Sequence, residues 1–282
     1  MNPKMPVLLS LAFIAAIGMS GVSASECPEG HTTNPDGTCT AVFGDPAVDG
    51  TVSYFSGAYY KDTTNQYLYI SYVDAYGSVS TTRSFVEWDI SSIPDDAEIS
   101  SVAFRYQGGQ HTNDCHIRDM STRPSTGGDG AIYNDIGTGN VYADPAGFPV
   151  VGTNREVGLN EQAASDLQDQ LPSDWFAIGM RADSENSGLN TILSENVAAT
   201  PKPTLVVNYR IDSCTPPESG DWIVEISDDC VITNDYVVDG NIIVVGSGGT
   251  LTFDGVEILS QGLEISADNY RIVFSGDFRL VF

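Results

Sequence analysis

Short runs in which every second residue is apolar recur through the middle of this chain, and they constrain the fold more than any other feature. In SFVEWDI, Val86, Trp88 and Ile90 share one face; in SVAFRY, Val102, Phe104 and Tyr106 do. In WFAIGM the set is Phe176, Ile178 and Met180, and in TLVVNY it is Leu205, Val207 and Tyr209. A period of two places one face in a core and the other in water, the pattern of antiparallel sheets. Turn clusters separate the runs: Ile93-Pro94-Asp95-Asp96, Gln107-Gly108-Gly109 and Asn186-Ser187-Gly188. Many short strands with such punctuation predict an antiparallel β-sandwich, jelly-roll-like, over residues 41–211. One helix interrupts it. Asn160 is a fair N-cap for EQAASDLQDQL, Ala163, Ala164, Leu167 and Leu171 fall on one face, and Pro172 ends the pattern.

The last segment, 221–282, has a different beat. WIVEI, CVITN, NIIVV, TLTF, VEIL, LEIS, YRIVF and FRLVF follow one another at short intervals, with glycines such as Gly240, Gly246, Gly255 and Gly276 at the corners. This rhythm predicts a β-solenoid-like segment of stacked coils. A plain antiparallel meander is the alternative reading. Residues 212–220, rich in Pro and Ser, read as a linker.

The N-terminus predicts export. Lys4 precedes an apolar run ending near Met19, and Val22-Ser23-Ala24 suits a signal peptidase, so residues 1–24 read as a signal peptide. No second segment is apolar enough to cross a bilayer, so no transmembrane anchor is expected after its removal. Disulfides are then the default for the five cysteines. Cys27 and Cys39 flank a Gly/Pro/Asn/Asp loop, making 25–40 a small disulfide-closed unit stabilised by about 3 kcal/mol. Cys214 and Cys230 form a second natural pair. Cys115 is left over, either buried and unpaired or bonded to another chain.

Charge excludes one large class of function. Against 12 Lys and Arg stand 38 Asp and Glu, a net charge of -26. Such a chain repels phosphate backbones, so nucleic acid is not an expected partner. Carboxylates are too abundant for any pair to be informative. Glu87 and Asp89 are a paper candidate for a hydrolytic pair, and the reading sets them on opposite faces of one strand. Asp183 and Glu185 are candidate calcium ligands in an acidic turn, calcium being the only cofactor expected. His111, Asp114, Cys115 and His116 in QHTNDCHIRD carry Zn²⁺- or Cu-type donors, but at no standard ligand spacing. No nucleophile motif is present. Tyrosines are dense from 54 to 76, and Tyr54, Tyr59, Tyr60, Tyr72 and Tyr76 are the candidate glycan contacts, since ring faces stack on sugars. Tyr67 and Tyr69 also share a face of their strand, and core filling is the competing role for all these rings.

The stretch RSFVEWDISSIPDDAEISSVAFRY resembles the recurring core of DNRLRE-type domains, also described as carbohydrate-binding module family 96. Arg83, Trp88, Asp89, Ser92, Ile93, Pro94, Ile99 and Phe104 occupy the motif positions, with Trp88 in place of the usual Phe. The helix ASDLQDQL, the strand WFAIGMRA, the Ser194-Glu195-Asn196 segment and the final strand 203–209 match its closing features. The resemblance covers about 49–210. It implies a non-catalytic β-sandwich on exported or envelope proteins, some of which bind acidic, alginate-like polysaccharide. The scarcity of basic residues here argues against an acidic glycan. CPEGHTTNPDGTC and the CTPP…GDWIVEISDDC opening of the solenoid-like segment are similar to modular joints in exported archaeal envelope proteins.

The chain is therefore expected to be a secreted or cell-surface protein without catalytic activity. Its expected role is binding or adhesion to polysaccharide or an envelope protein. The alternative is a structural surface protein that self-associates through its open C-terminal strand, and a polysaccharide-degrading enzyme is the third choice.

Overall fold

The computed structural model describes residues 27–34, 37–75, 78–185, 188–194, 196, 202–211, 213–217, 219–276 and 278–282. The expected signal peptide lies outside them. The fold is all-β, 56% strand and 11% helix. Two compact units divide the described residues, one within Ser25–Thr215 and one within Pro216–Phe282.

In the first unit the strand ladders are antiparallel and link thirteen strands into one sandwich-like sheet. Two long strands make this continuity possible by changing partners along their length. The first half of Ser78–Asp89 pairs with Tyr67–Ala75 and its second half with Trp175–Ala182, while Val48–Phe55 runs along its other edge. Ala97–Gln110 pairs with Thr204–Ile211 and then, at its end, with Gly188–Leu193. The twelve residues expected to share buried faces all lie in one core cluster, with Trp88 edge-on to Phe104 at 6.0 Å between centroids. Alternation was thus enough to find the core.

The disulfide loop joins this sheet. Cys27 and Cys39 are bonded with 5.7 Å between Cα atoms, and Cys39 opens the strand Cys39–Phe43, which pairs with Thr204–Ile211. Cys214 and Cys230 are each in a disulfide. Cys115 is free and buried.

The expected helix spans Glu161–Gln170. The Asn160 side chain accepts a bond from the Ala163 amide at 3.2 Å, and Leu171 and Pro172 turn into a short 3₁₀ helix. Ala163 and Leu167 are buried in the main core.

A second helix, Asp129–Thr138, corrects the expectation that the other sheet face is wet. Ile132, Tyr133 and Ile136 cover Phe85 and Ala177, forming a separate small core. Gly179 lets the helix settle, since a Cβ there would sit 2.7 Å from the Ile136 side chain. The strands under the helix are consequently buried on both faces from Arg83 to Trp88 and from Trp175 to Met180. Polar groups on that face need partners. Arg83 grips both oxygens of Glu185, at 2.7 and 2.9 Å, donates to the Tyr133 carbonyl at 2.6 Å and lies over the Tyr133 ring. Glu87, wholly buried, accepts from Arg123 Nε at 2.7 Å and from the Ser125 amide at 2.8 Å.

The second unit is a parallel β-solenoid, which excludes the meander. Trp222 lies beside Ile242 and Ile242 beside Leu263; Val231 lies beside Thr252 and Thr252 beside Val273. A third face aligns Tyr236, Ile258 and Leu280. Val224, Ile232, Val244, Leu251 and Phe253 fill the interior. Aspartates stitch successive coils at the corners. Asp221 accepts from the Asn241 amide, Asp229 from Thr250 and Asp235 from Glu257, each at 2.7 Å. Gly249, at φ +121°, passes so close to the Ile226 carbonyl that a Cβ would lie 2.1 Å from its oxygen. Part of the acidity of this segment is therefore structural.

Candidate functional site

The tyrosines nominated from sequence are not one platform. Tyr54 and Tyr59 come together, but with Tyr133, at centroid distances of 5.1 and 5.2 Å along the chain of rings. Tyr59 packs against the helix at Gly130 and belongs to the margin of the small core. Tyr60 is 58% exposed and Tyr72 half-buried, and neither makes a ring contact among the described residues. Tyr76 lies outside those residues.

The surface that does combine rings with hydrogen-bonding groups is centred on Tyr67 and Tyr69. They alternate with Leu68 and Ile70, which are buried in the core, so both rings face outward, 6.0 Å apart between centroids. Strand register completes the row: Leu193 lies opposite Tyr67, Thr191 opposite Tyr69, and Gln110 opposite Thr191 on the next strand. Together with Gln107, Gly108, Leu189 and Val151 they line a groove of about 620 Å³. No lining residue is charged. The Oε1 atom of Gln107 has no hydrogen-bond partner among the described residues. Two ring faces flanked by amides and a hydroxyl suit a ligand with both C–H faces and hydroxyl groups.

The acidic turn is also rearranged. Both oxygens of Glu185 accept from Arg83, and Glu185 is not grouped with Asp183. Asp183 instead faces His116, with Oδ1 3.0 Å from Nδ1, and Asp144 joins them; donor atoms of all three lie within 4.8 Å of one another. Burial and then the Arg118 charge lower the His116 pKa, against the pull of Asp183 and Asp144. Its Nε2 is 3.4 Å from the Arg118 Nη2 donor, which assigns the ring hydrogen to Nδ1, toward Asp183. Burial and then the neighbouring Asp144 and Asp114 raise the pKa of Asp183, against the pull of His116.

The other donors of QHTNDCHIRD do not join this set. His111 lies 3.5 Å from Asp114, and Cys115 points into the core, where the Asn190 amide donates to its sulfur at 3.1 Å. Burial, then the Asp183 and Asp114 charges, push the thiol pKa far up, so it is no thiolate. Adjacent residues of a strand face opposite ways, which is why Cys115 and His116 part. Glu87 and Asp89 are corrected by the same rule: two apart, they share a face. Glu87 has no solvent access, while exposed Asp89 accepts from the Ser91 amide at 3.0 Å.

The groove was missed because its signal lies in four segments distant in sequence. The shared face of Tyr67 and Tyr69 was the one local clue. The chain matches no protein-family model and no curated protein sequence. No helix among the described residues is long and apolar enough to cross a membrane.

Proposed function

We propose that this is a non-catalytic, secreted or cell-surface binding protein whose sandwich unit holds a polysaccharide along the Tyr67–Tyr69 groove. The observation that carries this reading is the uncharged aromatic and amide lining of that groove in a chain of net charge -26. Acidic side chains cover much of the molecule, and their absence from this groove favours a ligand recognised by stacking and neutral hydrogen bonds. A neutral glycan fits; an acidic, alginate-like chain meets a repulsive protein and no basic side chain in the groove. Disulfides support export, since they persist in oxidising compartments. Affinity electrophoresis of the full chain against neutral and acidic polysaccharides tests the reading. Retardation by at least one neutral glycan is expected. Tyr67→Ala and Tyr69→Ala should each weaken it about tenfold, the equivalent of about 1.4 kcal/mol of ring contact, while Tyr60→Ala leaves it unchanged. Failure across the neutral panel, or binding indifferent to both groove rings, defeats the proposal.

A second reading, a structural surface protein that self-associates, is favoured by apolar side chains exposed on the strand Gly262–Ser275. Val244 and Phe253 are buried, yet their next-coil partners Ile265 and Phe274 are 39% and 52% exposed. The Phe274 and Phe278 rings meet in a tilted contact, with centroids 4.4 Å apart. Exposed apolar side chains gathered on one strand favour contact with another chain. Light scattering should show size rising with concentration, and charged residues in place of Phe278, Leu280 and Phe282 should abolish the rise. A mass that stays monomeric at every concentration excludes this assembly.

A further inference from the structure

His116 stands out among the side chains that the polysaccharide groove does not use. Its imidazole is only 13% exposed, Nδ1 lies 3.0 Å from an Asp183 oxygen, and a carboxylate oxygen of Asp144, from another part of the chain, lies within 4.8 Å of the donor atoms. Asp144 makes no hydrogen bond or ion pair among the described residues, and the ion pair of Asp183 is with His116 itself. Of the nearby guanidinium groups, Arg118 donates through Nη1 to the Gly139 carbonyl and reaches only the far ring nitrogen, Nε2, at 3.4 Å, and Arg181 Nη1 donates to the Gly137 carbonyl at 2.8 Å. The geometry points to a site for one borderline divalent transition-metal ion, of the Zn²⁺ class, held by His116 Nδ1 and the carboxylates of Asp144 and Asp183.

The scaffold around these donors is rigid. His116 lies opposite Arg181 on paired strands, and Asp183 comes two residues after Arg181, its amide donating to the Asp114 carbonyl at 3.0 Å. Asp144 follows Ala143, which pairs with Ile117. The Asp114 carboxylate accepts from the Gly147 amide at 2.9 Å, and the Cys115 amide donates to the Phe148 carbonyl at 3.0 Å, so the segment after Asp144 is tied to the His116 strand. A tetrahedral shell with Zn–N and Zn–O bonds of about 2.0–2.2 Å sets donors roughly 3.3 Å apart. The His116–Asp183 spacing is already near this, and rotation of the exposed Asp144 side chain brings in the third donor. The ion takes the place of the hydrogen at Nδ1, and the ring's single hydrogen moves to Nε2, releasing the long contact to Arg118. Three protein ligands leave a fourth position for water. Calcium is disfavoured, because it takes six to eight oxygen ligands and this set offers two carboxylates and a nitrogen.

Equilibrium dialysis of the chelator-stripped full chain against Zn²⁺, with Ca²⁺ in large excess, tests the site. One Zn²⁺ per chain is expected, undiminished by Ca²⁺. His116→Ala should abolish it. Asp144→Asn should weaken it by more than the roughly tenfold that loss of an outer partner costs. Asp144 has no bonds to lose, so this variant keeps the wild-type circular dichroism and thermal midpoint of the metal-free protein. No stoichiometric Zn²⁺, displacement by Ca²⁺, or retention unchanged in Asp144→Asn overturns the proposal, the last by showing that ions collect elsewhere on an acidic surface.

Discussion

Trp88→Ala is expected to destabilise the sandwich unit by about 3–5 kcal/mol, the usual cost of removing a large aromatic from a core. The indole is wholly buried, edge-on to Phe104, in a strand buried on both faces. The main core closes on one side of this strand and the small core beneath the helix on the other. Neighbours held by paired strands cannot collapse far into the void, so the cavity persists. A loss of this size is a large fraction of ordinary domain stability. Urea titration of the oxidised protein, followed by far-ultraviolet circular dichroism, reads it. The two units need separate transitions in the fit, because a two-state treatment does not apply to two compact units. Trp88→Phe, which keeps an aromatic ring in the core, should recover most of the loss. A shift below about 1 kcal/mol for the alanine variant would show that the site repacks and that Trp88 does not organise the core.

Arg123→Ala is expected to cost about 3 kcal/mol at neutral pH, the lower end for breaking a buried ion pair, because Arg123 is itself 40% exposed. The penalty arises at Glu87, which has no solvent access and would keep only the two bonds from Ser125. Removing the guanidinium leaves a carboxylate charge in a low-dielectric site. It also loses a cation over the Trp175 ring at 5.7 Å. The double variant Glu87→Gln, Arg123→Ala should be less destabilised than the sum of the singles, since no uncompensated charge remains. Strict additivity in chemical denaturation would show that the two side chains do not act as a pair.

These two results concern opposite faces of one strand, and the faces were not equally legible. Val86, Trp88 and Ile90 announce their core by simple alternation. Glu87 and Arg83 are polar, so local reasoning sends them to water. The helix Asp129–Thr138 that covers them carries Gly130 and Gly137, poor helix formers, and has no side-chain N-cap. It is held by packing of Ile132, Tyr133 and Ile136 rather than by propensity. The Glu161–Gln170 helix, with its Asn160 cap and regular apolar face, needed no such help. Acidic residues misled in the same way: Glu185 suits a cation in isolation, but Arg83 reaches it from 102 residues away.

What the sequence alone determined is what repeats locally: the inward face of each sandwich strand, the capped helix, and the coil rhythm of residues 221–282. Period two and period 3.6 are written in consecutive residues. Tertiary structure alone decided which strands are neighbours, and therefore the row Tyr69–Thr191–Gln110, the Arg83–Glu185 clamp and the meeting of His116, Asp144 and Asp183. The reason is physical: register between strands far apart in the chain depends on the packing of the whole core, and no short stretch of residues contains it.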